Sequence, residues 1–185
     1  MKKIREGGFD IGDAAAAAEA LEGIPTDGRP LAMVFVTNIE APRPIVWHIL
    51  TDGAHFRNWA SAFCEGSHFV GDWQAGSEMR FLNGKGEGMI STVKINDPGE
   101  RLHIKHIGTI AADGKENRDI TFDWGDAREN YDLLQEEGGI TRLRVEMDVA
   151  DNVRDFFMNA WPRALINLME LAEAEIKEAP SATLQ

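Results

Sequence analysis

The chain has 185 residues, 43% hydrophobic and 27% charged, a composition that suits a soluble globular protein with a sizeable core. Its formal net charge of -12, with no basic cluster, excludes nucleic acid and an anionic membrane surface as main partners. No apolar run approaches the roughly 20 residues that would insert in a membrane, and a single cysteine, Cys64, excludes an internal disulfide or a cysteine-built zinc site.

Residues 1–30 read as an N-terminal appendage. In "GDAAAAAEALEGIP", Asp13 is a candidate N-cap, Gly23 a stop signal and Pro25 the breaker beyond it. A helix this short is marginal on its own. The uninterrupted run Ala14–Ala18 is too short and too closely flanked by acids for a secretory segment, so a cytoplasmic location is expected.

From Leu31 the pattern becomes that of a folded domain, expected over 31–178. "LAMVFVTNIE" alternates as a strand, with Met33, Phe35 and Thr37 on one side. "APRPIVWHILTD" starts a helix at its prolines and stops at Asp52-Gly53, and "AHFRNW" reads as a second short helix. Strands follow at 67–73, 77–83, 88–95, 101–108, 120–124, 129–136 and 140–149, with 109–119 as a loop. "NGKGEG" lacks the spacing, the following helix and the Lys-Ser/Thr pair of a phosphate loop, and reads as a hairpin turn. Leu143, Val145, Met147 and Val149 alternate with Arg142, Arg144, Glu146 and Asp148, the mark of a sheet buried on one face.

The last element runs from a cap at Asp151-Asn152 to about Glu178, and residues 179–185 are a tail. Val153, Phe157, Ala160, Trp161, Ala164, Leu168, Leu171 and Ala172 share a helical stripe. Pro162 interrupts it, about 140° from the stripe's centre, which places it on the outer face. Either one helix bends through the proline or a second helix starts there. The stripe keeps its phase across Pro162, which favours the bend. The predicted fold class is α+β: a curved antiparallel sheet of about six to seven strands, two short helices after the first strand, and a long C-terminal helix gripped by the sheet. A cavity between helix and sheet suits such a grip.

This order of elements resembles the SRPBCC or START-like helix-grip superfamily, which includes birch-pollen-allergen-like proteins, lipid-transfer domains and polyketide cyclases. Within it the chain is most similar to the branch named after activators of the heat-shock protein 90 ATPase. The residues that carry the resemblance are "IEAPRPIVWHILTDGAHFRNW", "DPGERLHIKH", "GGITRLRVEMDV" and "FFMNAWPRALINLMELAE". The resemblance implies a hydrophobic small-molecule ligand in the grip cavity. No cofactor and no metal are expected. A cyclase- or aromatase-like enzyme using the same cavity is the second reading. A co-chaperone or stress-linked role is the third, because activators of that branch carry a separate N-terminal domain that 30 residues cannot supply. A homodimer is compatible with all three.

The cavity candidates are Met33, Phe35, Trp59, Met79, Phe81, His106, Tyr131, Met147, Trp161 and Leu165. Methionine and aromatic side chains on inward strand faces suit an adaptable apolar pocket as well as an ordinary core. His106 shares parity with Leu102 and Ile104 and points inward, whereas His103 points out, so the two cannot pair on one ion. Tyr131 shares parity with Leu133, and its hydroxyl needs a partner if buried. "WGDARENY" places Asp126, Arg128 and Glu129 beside Trp124, a pattern that reads as a surface ion pair or a turn rather than a catalytic carboxylate pair. Cys64 reads as a small buried apolar residue.

Overall fold

The computed structural model describes residues 31–118, 127–149 and 153–178. The expected appendage at 1–30, the strand at 120–124, the helix cap at Asp151-Asn152 and the tail lie outside these residues. The order is β1 (Leu31–Ile39), α1 (Arg43–Thr51), α2 (Gly53–Trp59) with a 3-10 turn (Ala60–Ala62), β2 (His68–Val70), β3 (Glu78–Leu82), β4 (Gly88–Asp97), β5 (Arg101–Ile110), β6 (Glu116–Asn117), β7 (Arg128–Gln135), β8 (Thr141–Val149) and α3 (Arg154–Glu178). This is the α+β helix-grip arrangement. β6 falls inside the segment that reads as loop: two residues pair with the end of β5, too few to leave a period in sequence.

Every pairing is antiparallel, and the strands lie in the order β1-β8-β7-β5-β4-β3-β2. In the β1–β8 pair, Met33 faces Met147, Phe35 faces Val145 and Thr37 faces Leu143, so two inward rows meet in register. Two register shifts in the β4–β5 pair, with Ile107 the extra residue on β5 and Lys94 the extra residue on β4, bend the strands locally and add twist. Alternation is retained on β5, where Leu102, Ile104 and His106 are buried.

α1 and α2 form a tight corner. Asp52 ends the first helix and caps the second, its Oδ1 accepting from the Ala54 and His55 amides at 2.9 and 3.1 Å. The cap fixes the phase of α2, so Phe56 and Trp59, three residues apart, turn the same face to the core. α3 packs across both short helices and against β1.

α3 runs unbroken through Pro162. The proline removes the amide that would donate to the Met158 carbonyl and costs about 3 kcal/mol. Trp161, Leu165 and Leu168 are each almost fully buried, and such burial stabilises by about 1.5–3 kcal/mol per side chain. The stripe outweighs the proline, so one helix wins over two. Pro162 itself is half-buried at the stripe's edge and not on the outer face, which Asn159, Arg163 and Ile166 occupy.

Candidate functional site

A cavity of about 320 Å³ lies between the sheet, α2 and the first turns of α3. Phe56 and Trp59 enter it from α2, Phe63 and Cys64 from the turn that follows, and Phe81 from β3. Glu129 and Tyr131 enter from β7, and Phe156, Phe157 and Trp161 from α3. The β3–β4 hairpin closes one side through Asn83, Glu87, Gly88 and Met89. Its turn is stiffened by the Asn83 side chain, whose Oδ1 accepts from the Lys85 and Glu87 amides while its amide nitrogen donates to Glu87.

The rings form one connected wall. Trp161 lies 4.9 Å from Phe63, edge to face, and 6.1 and 6.4 Å from Tyr131 and Trp59. Phe56 bridges Trp59, at 4.7 Å, and Phe81, at 5.9 Å. The Trp161 indole N–H donates to the Met147 sulfur at 2.7 Å. Trp59 is nearly inaccessible, and its indole N–H has no acceptor among the described residues.

One polar chain crosses this apolar wall. Ser91 and His106 sit opposite each other on β4 and β5, with Ser91 Oγ 2.8 Å from His106 Nδ1. His106 Nε2 lies 3.3 Å from Glu129 Oε2, too far off line for a hydrogen bond. The Tyr131 hydroxyl donates to Glu129 Oε1. The tautomer follows from the charge. If Ser91 donates to Nδ1, Nε2 carries the proton and faces the carboxylate; the reverse tautomer would set a lone pair against it.

Burial, then the nearby Glu129 charge and the hydrogen bond to it, push the Tyr131 phenol well above its usual value of 10.0. The folded state therefore holds this proton more tightly than the unfolded chain. The associated stability is present in full below about pH 10 and is lost as pH rises through 10 towards the folded value. Tyr131 is the only tyrosine, so ultraviolet tyrosinate absorbance reports it alone. The folded protein is expected to show little tyrosinate at pH 10, and Tyr131→Phe to lose the stability decline above it. A titration midpoint at or below pH 10 would contradict this.

Of the ten candidates, Trp59, Phe81, Tyr131 and Trp161 line the cavity. The others stand behind it or away from it. Phe35 stacks on Trp161 at 5.8 Å, Met147 receives the indole N–H, and His106 lies behind Glu129. Met33, Met79 and Leu165 are core residues that do not reach the cavity. His103 points the other way and meets Asp132 at 2.9 Å.

Two readings are corrected. Glu129 is not part of a surface ion pair: it is 14% exposed at its side chain and turns into the cavity, while Arg128 pairs with Asp148 at 2.9 Å. The signal was available, because Glu129 shares strand parity with Tyr131 and Leu133. Cys64 is exposed and not buried, because it follows the 3-10 turn at the cavity's rim. Phe56 and Phe63, which no sequence pattern marks, also line the cavity, as does Phe157 from the helical stripe. Their positions depend on how α2 and α3 meet, which no local pattern reports.

A family model described as activator of Hsp90 ATPase homolog 1-like protein matches residues 40–173. Among solved structures, protein MLL2253 from Mesorhizobium loti is 19% identical with a TM-score of 0.60, over 78% of this chain and 98% of that one. Protein NE0264 from Nitrosomonas europaea is 16% identical with a TM-score of 0.60, over 82% and 99%. CalU16 from Micromonospora echinospora is 19% identical with a TM-score of 0.52, over 79% and 78%. At such identities the likeness shows the fold alone. No curated protein matches the chain.

Proposed function

The chain belongs to the activator of Hsp90 ATPase homolog 1-like family, and on that premise we propose that it binds a compact, largely apolar small molecule in the cavity between its sheet and α3. The observation that carries the reading is the cavity itself: about 320 Å³, walled largely by aromatic rings and bordered by the Glu129 carboxylate and Tyr131. Small-molecule sites are mostly apolar clefts of about 300–1,000 Å³ with a few placed polar groups. This volume lies at the lower end, which favours a compact ring system over a long acyl chain. The Glu129 carboxylate at the cavity wall supplies an acceptor for a polar substituent. Among the described residues no helix is long and apolar enough to cross a membrane.

The test uses the neutral probe N-phenyl-1-naphthylamine and the purified chain. Saturable one-to-one binding that quenches tryptophan fluorescence is expected, weakened at least tenfold by Phe63→Glu at the half-buried wall. Solvent extraction of freshly purified protein, followed by mass spectrometry, should release a stoichiometric lipophile. Absence of both a lipophile and saturable probe binding would overturn the reading.

A second reading rests on the polar chain. Tyr131 and Glu129 border the cavity and His106 backs Glu129, an arrangement that can pass a proton to or from a bound ligand. A cyclase-like enzyme would return the extracted lipophile chemically altered on prolonged incubation. A binding protein would return it unchanged.

A further inference from the structure

Away from the cavity, three helices bring together side chains that the ligand reading does not use. His48 lies in the last turn of α1, His55 in α2 and Glu175 near the end of α3. One ligand atom from each, two imidazole nitrogens and a carboxylate oxygen, lie within 4.8 Å of one another. The two imidazoles meet nearly edge to face, with centroids 5.1 Å apart. Glu175 Oε2 is buried and has no hydrogen-bond partner among the described residues. A buried carboxylate oxygen without a donor is expensive unless a proton or a cation meets it.

We propose that His48, His55 and Glu175 form a binding site for a divalent transition ion of the zinc class. Two imidazoles and one carboxylate are a recurrent donor set for such ions, at about 2.0–2.2 Å per bond. Ligands at that radius in a tetrahedral shell stand roughly 3.4 Å apart, so the three atoms need to close by at most about 1.4 Å. His48 is exposed, and its ring can swing to close the gap. Its exposure also leaves the fourth position open to water. The backbone already sets the triad: Asp52 caps α2 through the amides of Ala54 and His55, which holds the corner between the two histidines. Asp52 also contributes negative charge beside both rings. Glu175 lies 14 residues along α3 from Trp161, roughly 20 Å away at 1.5 Å per residue. The ion would therefore staple α1 and α2 to the far end of α3 without entering the cavity.

The experiment uses the full chain, stripped with EDTA and dialysed, then titrated with Co²⁺ alone and displaced by Zn²⁺. One equivalent of Co²⁺ should give saturable visible absorption, and Zn²⁺ should abolish it. His48→Ala and His55→Ala should each weaken binding at least tenfold, and Glu175→Gln severalfold, with His103→Asn unchanged. Zn²⁺ should raise the melting temperature of the wild type and leave that of His48→Ala unchanged. His48 is exposed, so that variant decides the matter even if His55→Ala folds poorly. No saturable one-to-one binding, or binding unaltered in His48→Ala, overturns the proposal.

Discussion

Replacing Gly88 by alanine is expected to destabilise the protein by about 3–5 kcal/mol and to abolish probe binding in the cavity. A Cβ on Gly88 would lie 1.8 Å from the Phe81 carbonyl oxygen, 2.8 Å from its carbon and 3.0 Å from Leu82 Cα. All three atoms are backbone, so no side-chain rotation relieves the clash. The β3–β4 hairpin must part where Leu82 faces Gly88 and Phe81 faces Met89. Each lost backbone hydrogen bond costs about 1 kcal/mol, more if its groups stay buried. Phe81, Leu82, Gly88 and Met89 all border the cavity, so the same opening removes one of its sides. Gly86 provides the comparison. Its φ of +80° penalises alanine by about 1–2 kcal/mol, but a Cβ there meets nothing within 4 Å. Urea unfolding should rank Gly88→Ala well below Gly86→Ala. Equal midpoints for the two variants would show that the close approach is not a constraint in solution.

The second large effect is expected at Trp161. The ring is 2% exposed and touches Phe35, Trp59, Phe63 and Tyr131, with its N–H on Met147. It joins β1, β7, β8, α2 and α3. Truncating a buried aromatic to alanine costs about 3–5 kcal/mol, the larger values where the surroundings cannot collapse. Collapse is hindered here because the void left by the indole opens onto an existing cavity. Trp161→Ala should therefore lose about 3–5 kcal/mol in denaturant unfolding, a large part of the 5–15 kcal/mol typical of a folded protein. Trp161→Phe keeps much of the ring contact and should recover more than half of that loss. A loss under about 1 kcal/mol for the alanine variant would mean that the aromatic wall is not cooperative with the core.

Much of this was legible residue by residue. Leu143, Val145, Met147 and Val149 are at most 1% exposed, as their alternation with charged neighbours requires. Trp161, Ala164, Leu168 and Ala172 are buried as the helical stripe requires. Tyr131 and His106 point inward, as strand parity requires. Glu129 and Cys64 depart from expectation for one shared reason. Side-chain type puts the first, a charge, outside and the second, an apolar cysteine, inside. Strand parity and the 3-10 turn overrode type in both cases, because a side chain's direction is set by its backbone.

Periodicity is a local property, and a short segment carries it whole. It was enough to assign the strands and the helical stripe, and, read together with the order of elements, the grip of sheet on helix. Which faces meet is a property of packing between residues far apart in the chain. Only the assembled fold brings Trp59, Tyr131 and Trp161 around one cavity and seats Glu129 against His106 and the Tyr131 hydroxyl. The same holds for His48, His55 and Glu175, which come within 4.8 Å across three helices. No spacing in the chain encodes that distance, because it depends on the corner at Asp52 and on the path of α3 past Pro162.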